Sequence, residues 1–137
     1  MYVVDASIAV KWFLLEQGSP QARIVREQHV AGDIELAAPD LIAYEVANAL
    51  VCRRTLDPAE VAAAVDSILT MEMTLWAPET TWMGHAGRLA AQLGASFYDS
   101  AYVALAHSLS WELLTADLKL QQIARPVVTV RSLNDLC

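Results

Sequence analysis

Four acidic side chains in this chain of 137 residues stand where a carboxylate could do chemistry: Asp5, Glu45, Asp99 and Asp117. Asp5 closes the short apolar run Tyr2-Val3-Val4, and Ser7 follows two residues later. An acid at the carboxyl end of a strand sits where open α/β sheets place their ligands. Asp117 closes Leu113-Leu114-Thr115 in the same way. Thr115 precedes it by two residues, so in an extended segment both side chains point to one side, and a hydroxyl there can orient a carboxylate. Asp99 falls in the first turn of an apolar helix, Phe97 to Ala106. The helix dipole favours it there, whereas apolar surroundings make an unpaired carboxylate costly. Glu45 is the lone acid of the apolar stretch Leu41 to Leu50, with Asn48 one turn along on the same face. Such an all-oxygen set suits a hard divalent cation, Mg²⁺ or Mn²⁺, and hence phosphate chemistry. Each acid also has a plainer reading. Asp5 or Ser7, and Asp117, could be helix N-caps; Asp99 could simply answer the dipole; Glu45 could face solvent.

Competing chemistries lack their residues. His29, His85 and His107 show no HxxxH or HExxH spacing, so each reads as a surface or satisfied interior residue rather than a zinc ligand. The five glycines form neither a dinucleotide fingerprint nor a phosphate-binding loop, and Ser7 has no nucleophile-elbow glycines. Asp40 and Asp57 read as caps, and Glu60 completes a capping box with Asp57. Asp66, Glu72 and Glu79 read as solvated, and Glu16 as lying on the exposed face of the first helix.

The elements that must carry these acids alternate. Strands are predicted at residues 2–5, 34–37, 74–77, 112–115 and 127–130. Helices are predicted at 6–16, from Pro20 to about Ala31 with Ser19 as cap, from Pro39-Asp40 to about Arg54, and from Asp57-Pro58 to about Met71. Others run from Thr80 to Leu93, where Gly94 stops the helix, then 98–109, 117–124 and a short one from Ser132. Strands separated by helices require crossovers, so the expected fold is α/β with a short, mostly parallel sheet flanked by helices. Residues 19–71 should add a helical layer beside it.

Length predicts one domain over residues 1–137, with enough chain for a core that needs no staples. Residues are 55% hydrophobic, yet apolar runs break well short of the ~20 residues of a membrane span. No signal-peptide pattern opens the chain, so a cytoplasmic location is expected and the apolar surplus is assigned to a partner surface. Cys52 and Cys137 form no CxxC pair and read as free thiols, Cys52 as a small core residue. A formal charge of −7 excludes a generic nucleic-acid-coating protein. Setting aside the four candidate acids leaves 12 acids against 9 bases, a balance of −3, which a bound cation would offset further.

The residues Val4-Asp5-Ala6-Ser7, Lys11-Trp12-Phe13, Glu45 to Leu50, Tyr98-Asp99 to Ala106 and Leu114-Thr115-Ala116-Asp117 resemble the PIN domain, and within it the VapC-type toxin ribonucleases. Each piece alone is weak; their order and spacing over nearly the whole chain make the set specific. The resemblance implies a Rossmann-like sheet that gathers Asp5, Glu45, Asp99 and Asp117 at one crevice. It implies Mg²⁺- or Mn²⁺-dependent endonucleolytic cleavage of RNA, a VapB-type antitoxin as partner, and homodimers. On that reading Asp5 and Asp99 bind the metal directly, Asp117 completes the site, and Glu45 holds a second metal or orients the attacking water. Ser7, Thr115 and Asn48 support them. The acidic balance is atypical; with Lys11 and Lys119 the only lysines, RNA guidance falls to arginines such as Arg53, Arg54 and Arg88. The alternatives are a PIN-like module that binds RNA without cutting it, or a phosphatase- or receiver-like α/β domain. The last two want a second acid close behind Asp5, where this chain has Ala6 and Ser7.

Overall fold

In the computed structural model, which describes residues 1–136, five parallel strands alternate with helices. The strands are β1 (Tyr2–Val4), β2 (Leu36–Pro39), β3 (Thr74–Trp76), β4 (Glu112–Leu114) and β5 (Val130–Arg131). The helices are α1 (Ala6–Ala9), α2 (Ser19–Ala31), α3 (Leu41–Arg53), α4 (Pro58–Thr70), α5 (Thr80–Leu93), α6 (Phe97–Leu109) and α7 (Leu118–Ala124). The sheet order is β3-β2-β1-β4-β5, with Val3 in register with Ala37 on one side and Leu113 on the other. The chain thus builds outward from β1 to β3, then returns past β1 to lay down β4 and β5. That reversal opens a crevice beyond the carboxyl ends of β1 and β4, where α/β sheets bind ligands. Asp5 and Thr115 are the first residues past those two ends.

The central strands carry no solvent face. Val3, Val4, Leu36, Leu113 and Leu114 are fully buried, as parallel strands covered on both sides must be. Helix α6 packs on β1, β2 and β4, and every residue from Ser100 to Ala106 is buried. Its alanines allow close approach to the sheet and bring the first turn of α6, with Asp99, to the crevice. Helix α3 reaches the same edge directly from β2, placing Glu45 on its second turn.

Several element boundaries differ from the sequence-based expectation. The first helix ends after Ala9 and a 3-10 turn, Val10–Trp12, replaces its remainder. Trp12 Nε1 donates to the Ala22 carbonyl (2.9 Å) and Lys11 Nζ to that of Gln17 (2.9 Å), bonds that pull the chain away from the helix axis. Ser19 is not the cap of α2. Gly18 holds that position at φ 84°, and the buried Ser19 hydroxyl donates to Leu14 O (2.7 Å). Asp40 makes no side-chain cap bond, whereas Asp57 and Glu60 form the expected capping box. Strand β2 begins at Leu36, not Ile34, and includes Pro39. The amides of Val127 and Val128 bond back to Ala124 O, which delays β5 to Val130. A 3-10 turn, Leu133–Asp135, stands in place of the terminal helix. Cys52 is exposed rather than in the core, and Cys137 lies outside the described residues. Among the described residues no helix is long and apolar enough to cross a membrane.

Candidate active site

Asp5 occupies the N-cap position of α1 but does not cap it. Its carboxylate makes no cap hydrogen bond; Ser7 Oγ donates to Oδ1 at 2.6 Å and Thr115 Oγ1 to Oδ2 at 2.9 Å. Asp5 is 5% exposed. Burial pushes its carboxyl up to about 7, and the nearby Asp117 charge adds to that, against the opposing pull of the Ser7 and Thr115 hydroxyls and the Ile8 amide. A buried carboxylate aimed by two hydroxyls and forming no helix cap is poorly explained as structure. Ser7 and Thr115 are themselves fixed, accepting from the amides of Ala116 (2.9 Å) and Asp117 (3.0 Å). Thr115 therefore serves Asp5 across the crevice, not the carboxylate of Asp117 that follows it.

Asp117 does cap its helix. Its Oδ1 accepts from the amides of Lys119 (2.8 Å) and Leu120 (3.0 Å), and the residue is exposed. The plainer reading holds for that oxygen, while the charge still acts on Asp5. Asparagine caps as well as aspartate. Asp117→Asn should therefore shift stability by no more than about 0.5 kcal/mol while lowering activity about tenfold through its charge. Melting curves beside rates of the RNA cleavage that the sequence resemblance implies check this; full activity would remove Asp117 from the site.

Glu45 and Asp99 form a second pair of like charges. Burial, and then Asp99, raise Glu45 above the usual carboxylate range, while a hydrogen bond from the Tyr102 hydroxyl to Oε2 opposes them. Asp99 sits half-buried in the first turn of α6, its amide held by Ser96 Oγ at 3.0 Å. Tyr102 was missed by the sequence reading, although it stands at i+3 from Asp99 in the same motif and so shares its face. Its hydroxyl lies within the field of Glu45, Asp5 and Asp99, which together with burial hold the phenol far above its ordinary value and keep it protonated.

Ser7, Lys11, Glu16, Glu45, Asn48, Arg53 and Ala116 line an open groove of about 450 Å³. Glu16 is not on a helix face. It ties Lys11 (3.0 Å) to Arg53 (3.0 Å), holding two cations along the groove wall. Asn48 shares the groove, and its side chain meets Cys52. Arg54 ends α3 in the left-handed region and Arg88 lies on α5; neither lines the groove. His85 and His107 lie ring to ring at 4.9 Å between α5 and α6, and neither lines the groove.

Among the described residues no three His, Cys, Asp or Glu side chains converge tightly enough to hold a metal ion as they stand. The acids fall into two pairs at the crevice, the Asp117 charge acting on Asp5 and the Asp99 charge on Glu45. Hard oxygen donors crowded against one another form the chemistry a divalent cation relieves.

Comparison with known proteins identifies the family and the fold. The PIN domain family model matches residues 2–126. Ribonuclease VapC3 of Pyrobaculum aerophilum is 36% identical over 137 residues, covering 93% of this chain and 97% of that protein. A crystal structure of a Pyrobaculum aerophilum protein superposes with a TM-score of 0.69 at 24% identity, over 98% of this chain and 92% of that one. VapBC2 from Rickettsia felis, solved bound to a DNA fragment from its promoter, gives 0.73 at 13% identity, over 96% and 97%. The switch-point crevice, the four acids around it and the match along nearly the whole length have one account: the chain belongs to the PIN-domain family.

Proposed function

We infer that this protein is an endoribonuclease of the VapC type, hydrolysing RNA phosphodiesters with a divalent cation, Mg²⁺ or Mn²⁺, and serving as the toxin of a toxin–antitoxin pair. The observation that carries the reading is Asp5, a buried carboxylate gripped by Ser7 and Thr115 at the crevice and forming no helix cap. The similarity to Ribonuclease VapC3 supports RNA as the substrate. Asp5 and Asp99 would hold the cation, with Asp117 completing the set and Glu45 holding a second ion or orienting the attacking water. When bound, the cation lowers the pKa of water and neutralises charge that builds on the phosphorus oxygens. The chain's own residues do the rest. Ser7 and Thr115 restrict the Asp5 rotamer, which saves reorganisation during the reaction. Lys11 and Arg53 share the single carboxylate of Glu16 and so leave one net positive charge along the groove for a phosphate backbone.

A VapB-type antitoxin is the partner this reading carries, and a homodimer its assembly. Leu15 (86% exposed) adjoins the groove residue Glu16, and Leu118 (73% exposed) lies two residues past Ala116, so apolar surface borders the groove.

Purified protein incubated with a structured RNA should cleave it internally with Mg²⁺ or Mn²⁺ and stop when a chelator is added. Asp99→Asn should stop it as well. Cleavage that survives both chelator and substitution would sink the assignment, and binding without cleavage would favour the non-cutting RNA module.

A further inference from the structure

Tyr102 and Glu45 lie 57 residues apart, on α6 and α3, yet the phenol hydroxyl donates to Glu45 Oε2. The tyrosine ring is 2% exposed and packed in the core, so its hydroxyl has little freedom to leave that position. Glu45 is the long arm of the acid set, with three rotatable torsions, and it lines the groove. One of its two oxygens is therefore tied to a fixed donor, which restricts the directions in which the other can point. Asp99 differs: among the described residues its carboxylate accepts no hydrogen bond, leaving both oxygens for a cation.

We propose that Tyr102 is a positioning residue for Glu45, and that the carboxylate so held orients the attacking water instead of ligating a second metal ion. The proposal rests on the nuclease reading above and deepens it. A water-orienting group must be held within hydrogen-bond reach of its proton in one geometry. A rigid phenol anchored in the core supplies that constraint, which an unrestrained glutamate side chain lacks. Loss of the hydroxyl leaves the ring and its packing in place and frees Glu45 to sample rotamers.

The test is Tyr102→Phe, assayed on an RNA substrate with Mn²⁺ and, separately, by calorimetric titration of Mn²⁺ alone. Turnover should fall about 10- to 100-fold, with KM changed less than about threefold, because the loss is one of orientation. Mn²⁺ affinity and stoichiometry should match the wild type in both Tyr102→Phe and Glu45→Gln. The double variant should be no slower than Glu45→Gln, because the hydroxyl acts only through that carboxylate. Turnover within about threefold of wild type in Tyr102→Phe would overturn the proposal. So would a second Mn²⁺ lost on Glu45→Gln, or additive losses in the double variant. A wild-type protein that cuts no RNA would instead overturn the nuclease reading itself, so the two failures are told apart.

Discussion

Asp5→Asn is expected to abolish RNA cleavage and, in the presence of chelator at pH 8, to melt at a higher temperature than the wild type. The first effect should reach about 10²- to 10³-fold, the scale of removing one preorganised electrostatic group. The second follows from linkage. Burial raises the Asp5 carboxyl from 3.8 to about 7, so between those values the folded state holds a proton that the unfolded state has released. Stability then falls as pH rises through that window, and above it the folded protein carries the full cost of a buried charge. The shift sets a ceiling of about 4 kcal/mol on that cost. Asparagine removes the charge but presents its NH₂ to one of the two donors, Ser7 or Thr115, and the loss of that bond offsets about 1.5–3 kcal/mol. The expected net gain is about 1–2 kcal/mol, or about 3–8 °C for a chain of this size. At pH 5 the folded acid is neutral and only the unfolded state is ionised, so the cost falls to about 1.6 kcal/mol, the lost bond cancels it and the gain should vanish. Thermal melts of both proteins at pH 5 and pH 8 measure it; a variant less stable at pH 8 would mean that Asp5 is a structural group.

Mn²⁺ should stabilise the protein strongly at pH 8 and weakly at pH 5. A ligand present at about 100 times its dissociation constant adds about 2.7 kcal/mol, here roughly 9 °C. With Asp5 titrating at about 7, pH 5 leaves only about 1% of it ionised, and the apparent affinity should drop about 100-fold. The same Mn²⁺ concentration then adds about 0.4 kcal/mol. Melting curves with and without Mn²⁺ at the two pH values check this, with Asp5→Asn as the control that should show little stabilisation at either. Equal stabilisation at both pH values would place the cation elsewhere.

Residues of strong local character were legible in sequence. Asp57-Pro58-Ala59-Glu60 announced the start of α4, because its capping bonds lie within four residues. Gly94 marked the end of α5 for a similar reason, taking a positive φ that L side chains resist. Boundaries set by distant partners were not legible. The first helix stops early because Trp12 finds the Ala22 carbonyl and Lys11 that of Gln17. Glu16, read as a helix-face residue, instead bridges Lys11 and Arg53 in the groove. Cys52 looked like core because its helix is apolar, but an apolar helix has no periodic signal to say which face is buried.

The same division runs through the site. Sequence alone supplied the four acids, a residue type suited to hard cations, and the strand-end positions of Asp5 and Asp117. These are properties of residue type and short-range order. Only the tertiary structure separated the acids by role. It showed Asp5 gripped by Ser7 and Thr115, Asp117 capping α7, and Glu45 tethered to Tyr102 from another helix. The physical reason is that a carboxylate's role depends on its burial and on the donors that reach it. Those donors come from residues up to 110 positions away, brought together where the sheet reverses order between β1 and β4.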